Sequence, residues 1–131
     1  MLPLSEVQTA LYTALTAALA PVPVLDLAGP DQRFPYFTMG EFTATPDDPV
    51  TSPEQGVNID MMLHAWSRQP GMQEIQLLMQ TAKDALHHKK LEVTGFQWVE
   101  TVWEMAQTMR DIDGVTRHGV MRFRILTFQT T

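Results

Sequence analysis

Arg110-Asp111-Ile112-Asp113-Gly114-Val115-Thr116-Arg117-His118-Gly119-Val120-Met121-Arg122-Phe123-Arg124 is the stretch whose reading decides the fold. Asp113-Gly114 stands between two alternating runs, and glycine reaches positive φ without a Cβ clash, so the pair predicts a hairpin turn. On the returning strand successive side chains alternate faces. Gly119, Met121, Phe123 and Ile125 share one face, which reads as a core face; His118, Val120, Arg122, Arg124 and Leu126 share the other. Two arginines among apolar residues suit a surface that meets another subunit or a polar partner. From sequence alone the plainer reading is a solvated face along which their alkyl stems lie.

Upstream, residues 96 to 110 predict a long strand with a broken alternation: Val99, Trp103 and Met105 share parity, whereas Phe96, Trp98, Val102 and Ala106 hold the other. Such a break points to a bulge, or to a strand buried on both sides as when another chain covers one surface of a sheet. Residues 91 to 95 predict a short strand with a turn. A helix precedes them, with Pro70 expected in its first turn and Met72, Ile75, Leu78, Met79, Ala82, Ala85 and Leu86 along its apolar stripe. His87-His88-Lys89-Lys90 place positive charge at its end, where the helix dipole favours it. His87 and His88 would lie about 100° apart on a helix, which makes them poor ligands for one metal.

Residues 57 to 67 alternate as a half-buried strand, with Val57, Ile59, Met61, Leu63 and Ala65 on one face and Asn58, Asp60, Met62, His64 and Trp66 on the other. His64 and Trp66 therefore sit side by side, as a contact site or as packing under a neighbouring loop. Residues 36 to 43 form another β-favouring run, opened by Pro35. Between these strands, residues 45 to 56 carry three prolines, three acids and one large apolar residue. They predict a mobile inter-strand loop that cannot bury enough to offset its ordering entropy. Residues 21 to 35, with four prolines, predict a connection holding at most a short extended piece around Val22 to Leu27. Ser5-Glu6-Val7-Gln8 is a capping box that predicts a helix start. Its stripe is Leu4, Val7, Leu11, Ala14, Leu15, Ala18 and Leu19, and Pro21 and Pro23 end it.

The 131 residues fit a single domain, 1–131, large enough for its own core. The sequence has no cysteine, which excludes disulfides, thiolate metal sites and a cysteine nucleophile. A formal net charge of -6 argues against holding nucleic acid by counterion release as the main activity. Its apolar runs are too short to span a bilayer and its start lacks the pattern of a signal peptide, so a soluble protein made in the cytoplasm is expected. Nucleotide, hydrolase and zinc-protease motifs are missing, and Asp111-Ile112-Asp113-Gly114 lacks the later ligands of a calcium loop. The residues alone predict an α+β fold in which two helices pack on one face of a mainly antiparallel, four- to five-stranded sheet, in the order α-β-β-α-β-β.

His64-Ala65-Trp66-Ser67-Arg68, Pro70-Gly71, Ala85-Leu86-His87, Phe34-Pro35-Tyr36-Phe37-Thr38-Met39-Gly40 with Glu41, and above all the stretch from Arg110 to Arg124 resemble the tail-completion family of siphophages and gene transfer agents. The resemblance covers essentially the whole chain. It implies a tail terminator: a small structural virion subunit, not an enzyme, that forms a homo-oligomeric ring, usually a hexamer. Such a ring caps the tail tube, meets the head-tail connector and lets DNA pass in transit. It also implies a place at the head-proximal end of the tail, assembly in the host cytoplasm, and no cofactor, metal or membrane. The motif positions it carries over are Arg110, Asp111, Asp113, Gly114, Arg117, His118, Arg122 and Arg124, beside His64 and Trp66. Within that motif we expect Asp111 and Asp113 to bracket the turn and Arg117 to pair with an acid across the hairpin or across the ring. Two other readings stand beside it: another connector ring such as a stopper or neck protein, and a small metal-dependent hydrolase drawing on the histidines and acids.

Overall fold

The computed structural model describes residues 4–48, 52–93 and 95–129. Its elements are helix α1 (Leu4–Leu19), strands β1 (Val24–Leu25), β2 (Tyr36–Asp48) and β3 (Ser52–Ser67), helix α2 (Gln73–Leu86), and strands β4 (Phe96–Arg110) and β5 (Arg117–Gln129). All five strands join one sheet in the order β1-β2-β3-β5-β4. Every pair is antiparallel except β1 with β2, which is parallel. The expected α+β class is therefore found, with β1 as the short extended piece anticipated between the prolines.

The two strand alternations decide which face is buried. Ile59, Met61, Leu63 and Ala65 of β3 and Met121, Phe123 and Ile125 of β5 are all sealed from solvent. Pairs such as Ile59–Ile125 and Met61–Phe123 bring them level across the sheet. Against this face α1 lays Val7, Leu11, Leu15 and Leu19, and α2 lays Ile75, Met79, Ala82 and Leu86, in one continuous core. Burial of some twenty apolar side chains, each contributing about 1.5–3 kcal/mol, is what holds the two layers together. At Gly119 of β5 the sheet meets α2 closely: a Cβ built there would lie 2.5 Å from the Met79 sulfur.

Several local expectations need correction. Helix α1 already includes Leu4, so Ser5 lies inside it, and Gln8 donates to Asp26 Oδ1 at 2.7 Å instead of reaching back to a cap. Ala18 is exposed although its spacing put it on the stripe. Pro70 precedes α2, whose N-cap is Met72. The 45–56 segment is not a loop throughout: Thr45–Asn58, Pro46–Val57 and Asp48–Ser52 pair as the far part of the β2–β3 hairpin, and residues 49–51 lie outside the described residues. Backbone pairing needs no apolar burial, which is why a Pro- and Asp-rich composition misled. Residues 91 to 93 form no strand; Lys90 instead makes a bridge to Glu100. The bulge expected in β4 is present, between Trp103 and Met105.

Candidate functional site

With both helices on one side, the other face of the sheet carries the side chains that the core does not use. At one end, His64 and Trp66 of β3 meet His118 of β5, because the register sets Trp66 opposite His118 and His64 opposite Val120. The His118 ring lies parallel to the Trp66 indole, with centroids 3.9 Å apart and planes 5° apart. His64 Nδ1 and His118 Nε2 are 2.9 Å apart, so one ring donates its N–H to the other. Tyr36 of β2 extends the stack beside Trp66, and Trp66 Nε1 donates to Thr38 Oγ1 at 3.3 Å. Arg68 lies over the Phe34 ring at 4.2 Å and donates from Nε to Thr116 Oγ1. Burial pushes the His118 imidazole below the usual histidine value, neighbouring His64 adds to this and Asp111 opposes it. Burial likewise raises the Tyr36 phenol, with Arg68 opposing.

Towards the middle of the same face, Arg122 and Arg124 of β5 are neutralised. Arg124 places Nη2 3.2 Å from Glu104 and Nε 3.7 Å from Asp60, while Arg122 Nε is 3.4 Å from Glu104. Glu104 is the extra residue of the β4 bulge, between Trp103 and Met105, and lies on the arginine side. Each arginine side chain remains 47% exposed, so the pairs hold geometry more than they stabilise the fold. Asp60 Oδ1 has no hydrogen-bond partner, and its 3.7 Å approach to Arg124 is electrostatic.

The motif turn is larger than a two-residue hairpin: residues 111–116 join β4 to β5. Asp113 organises it. Its Oδ1 accepts from the Val115 and Thr116 N–H groups, and its Oδ2 accepts from the Thr116 hydroxyl at 2.7 Å. The Thr116 backbone and hydroxyl, then the Val115 amide, hold its carboxyl down to about 2. Asp111 receives Ile112 N–H on Oδ1 and Gly114 N–H on its carbonyl, and Gly114 supplies the positive φ of 72°. Asp111 thus holds the start of the turn and Asp113 its interior, rather than the two bracketing it.

The ten motif residues do not form one cluster. His64, Trp66, His118, Arg122 and Arg124 share the uncovered face; Asp111, Asp113 and Gly114 build the turn. Arg110 and Arg117 pair with each other on the parity of the buried face. Arg117 meets no acid among the described residues; its guanidinium donates to the Val115 carbonyl. Sequence reasoning missed Glu104 and Asp60 as partners of the arginines, and it missed His87. That histidine, whose value is lowered by burial and then by His88 and Lys83, accepts the Trp103 N–H at 3.0 Å and so covers part of the β4 edge. Among the described residues no three His, Cys, Asp or Glu side chains converge as metal ligands, and no helix is long and apolar enough to cross a membrane.

A family profile described as tail completion protein gp17 matches residues 6–127. The chain belongs to that tail completion family. A curated relative, tail completion protein gp17 of Bacillus phage SPP1, is 34% identical over 101 residues, covering 77% of this chain and 73% of its own length. The solved structure of bacteriophage SPP1 gp17 superposes with a TM-score of 0.55 at 29% identity, over 95% of this chain and 91% of that one. A chain from the virion of a native gene transfer agent particle superposes with a TM-score of 0.80, over 95% and 96% of the two chains; at 16% identity it speaks for the fold alone. The tail completion family consists of structural virion proteins, not enzymes, which removes the hydrolase reading.

Proposed function

We propose that this chain is the tail-completion subunit of a phage or gene-transfer-agent particle: copies close into a ring, usually a hexamer in such proteins, that caps the tail tube and joins it to the head connector. The family match over residues 6–127 carries the reading. On it, the protein resides at the head-proximal end of the tail, is assembled in the host cytoplasm, and touches DNA only in transit through the ring. The uncovered face suits the inner wall. Its two arginines are balanced by Glu104 and Asp60, and a wall without free positive charge does not hold DNA by releasing its counterions. Arg110, Arg117 and the 111–116 turn stand at one end of the sheet, where a ring subunit would meet a neighbour or an axial partner.

Deleting the gene and imaging lysates by electron microscopy tests this. Tails of uncontrolled length with unattached heads are expected. Normal-length tails beside DNA-leaking heads would instead mark a head-side stopper.

A further inference from the structure

Among the described residues both outer edges of the sheet are half covered, and the uncovered halves lie at opposite ends. On β4, Thr101 N–H bonds to the Lys89 carbonyl, the Thr101 carbonyl accepts from His88 and Trp103 N–H goes to His87, so a strap of residues 87–91 closes the upper edge. Below the bulge the strap is gone. Asp111 N–H donates to the Thr116 carbonyl of the same hairpin. Strand alternation then turns the backbone groups of Arg110, Thr108 and Ala106 outward, away from β5. On β2 the mirror situation holds. Phe37 N–H goes to Pro23, and β1 pairs only Phe37 and Thr38. Beyond the Met39/Phe42 bulge, the same alternation turns Phe42 and Ala44 outward, up to Pro46, which has no N–H to offer.

We propose that the free part of β2 in one copy adds to the free part of β4 in the next, antiparallel, with Phe42 beside Thr108 and Ala44 beside Ala106. This rests on the ring reading above and says which surfaces make it. Strand directions permit it: β2 and β4 run oppositely within the sheet, so β2 of a neighbour in the same orientation is antiparallel to β4. Both free segments are short and bounded, by β1 and Pro46 on one side and by the strap and the 111–116 turn on the other, so the register has little room to slip. On the helix side of β4 the edge is flanked by a groove of about 320 Å³ whose walls include Met79, Lys83, Trp103 and Thr108. Phe42 and Ala44, which share that parity, would enter it. No like charges meet: Thr43 and Thr45 face Gln107 and Met105 on the other side.

The stagger suits a closed ring. Ala44 is level with Ile59 on β3, and Ala106 is level with Leu63 through Met121, so each junction shifts the chain by the four residues between positions 59 and 63. Four residues of shift for every four long strands makes the shear equal to the strand number. That is the ratio of the eight-stranded parallel barrel, whose strands tilt by about 36°, and it holds for any number of subunits. Because the two edges differ, the contact is head-to-tail and generates a ring or a helix rather than a two-fold dimer.

The absence of cysteine makes the test clean. In the proposed register Thr43 and Gln107, both exposed, become a close cross-strand pair within disulfide reach. The variant Thr43→Cys with Gln107→Cys, assembled and oxidised, is expected to give a ladder of covalent multimers on a non-reducing gel, collapsed by reductant; each single variant gives none. Adding Thr108→Pro, which removes only an outward N–H, should abolish the ladder and leave the thermal melt unchanged. Light scattering of the unmodified protein, alone and with tube protein, separates the two layers of the claim. Rings without a ladder, or a ladder that survives Thr108→Pro, overturn the edge pairing and leave the ring. Monomers under every condition overturn both.

Discussion

Replacing Gly119 by alanine probes a tight contact between helix α2 and the sheet. The new Cβ would sit 2.5 Å from Met79 Sδ, 3.2 Å from Met79 Cε and 3.3 Å from Ile75 Cδ1. Carbon atoms at rest keep about 3.5–4.0 Å from such neighbours, so the thioether must swing away into a site where Met79 is only 5% exposed and Ile75 1%. Overpacking of this kind costs about 1–3 kcal/mol. Removing a glycine from a strand interior offsets roughly 0.5–1 kcal/mol of that. The net loss is expected at about 1–2 kcal/mol, a fall in Tm of roughly 3–10 °C for a domain of this size. Urea unfolding of four proteins, wild type, Gly119→Ala, Met79→Ala and the double variant, gives the coupling. Once Met79 is shortened, Gly119→Ala should become neutral or stabilising, an interaction of about 1–3 kcal/mol in the double-mutant cycle. A Gly119→Ala variant more stable than the wild type, or a cycle that sums to zero, would refute the contact.

Other outcomes follow from the turn and the uncovered face. Asp113 has a folded value of about 2 against an unfolded value near 3.9, so the folded state binds fewer protons between them; the stability it contributes is present above about pH 4 and lost as pH falls through about 2. Asp113→Asn should remove that step from unfolding midpoints measured between pH 2 and 5. His118 is lowered below the usual histidine value, so the unfolded chain takes up the proton first, and stability falls as pH drops below about 6.5. His118→Gln should flatten this slope, and an NMR titration in which the His118 ring protonates at or above the ordinary value would contradict it. Glu104→Gln leaves Arg122 without an acid; melting should shift by less than about 1 kcal/mol, whereas binding to duplex DNA at low salt should rise. Arg117→Ala is expected to weaken assembly in light scattering while the monomer's circular dichroism stays unchanged.

The burial pattern was readable because alternation on β3 and β5 is enforced by a core on one side only: a one-residue slip would expose Phe123 and Ile125. The break in β4 was readable for the same reason, as a change of parity at one place. What the sequence did not disclose is cross-strand register. His64 and His118 are 54 residues apart, and neither their 2.9 Å contact nor the parallel Trp66 is encoded locally. Glu104 looked like one acid among fifteen until the β4–β5 register set it beside Arg122 and Arg124. Charge at the end of α2 suggested a dipole partner for His87, but the group it satisfies is the Trp103 amide on the neighbouring strand. Local signals failed where a nearby tertiary partner was stronger: Gln8 prefers Asp26 to its own helix end.

One arrangement links the bulge to the proposed role. A regular β4 would already place Glu104 on the parity of Val102, which is the arginine side. What the extra residue adds is a second residue on that side, Met105 opposite Arg122, after which Ala106 and Thr108 return to the helix side opposite Met121 and Gly119. The strap lets go of the edge at the same place, since Trp103 is the last residue whose N–H it takes. Deleting Glu104 should therefore separate charge from edge. The two arginines of every copy would lose the acid they share. Trp103 and Met105 would then follow each other as a regular strand, still level with Phe123 and Arg122, and the outward backbone groups below would stay as they are. Free positive charge on the wall should appear as salt-sensitive DNA binding, with assembly kept. A deletion that abolishes assembly as well would refute this account of the bulge.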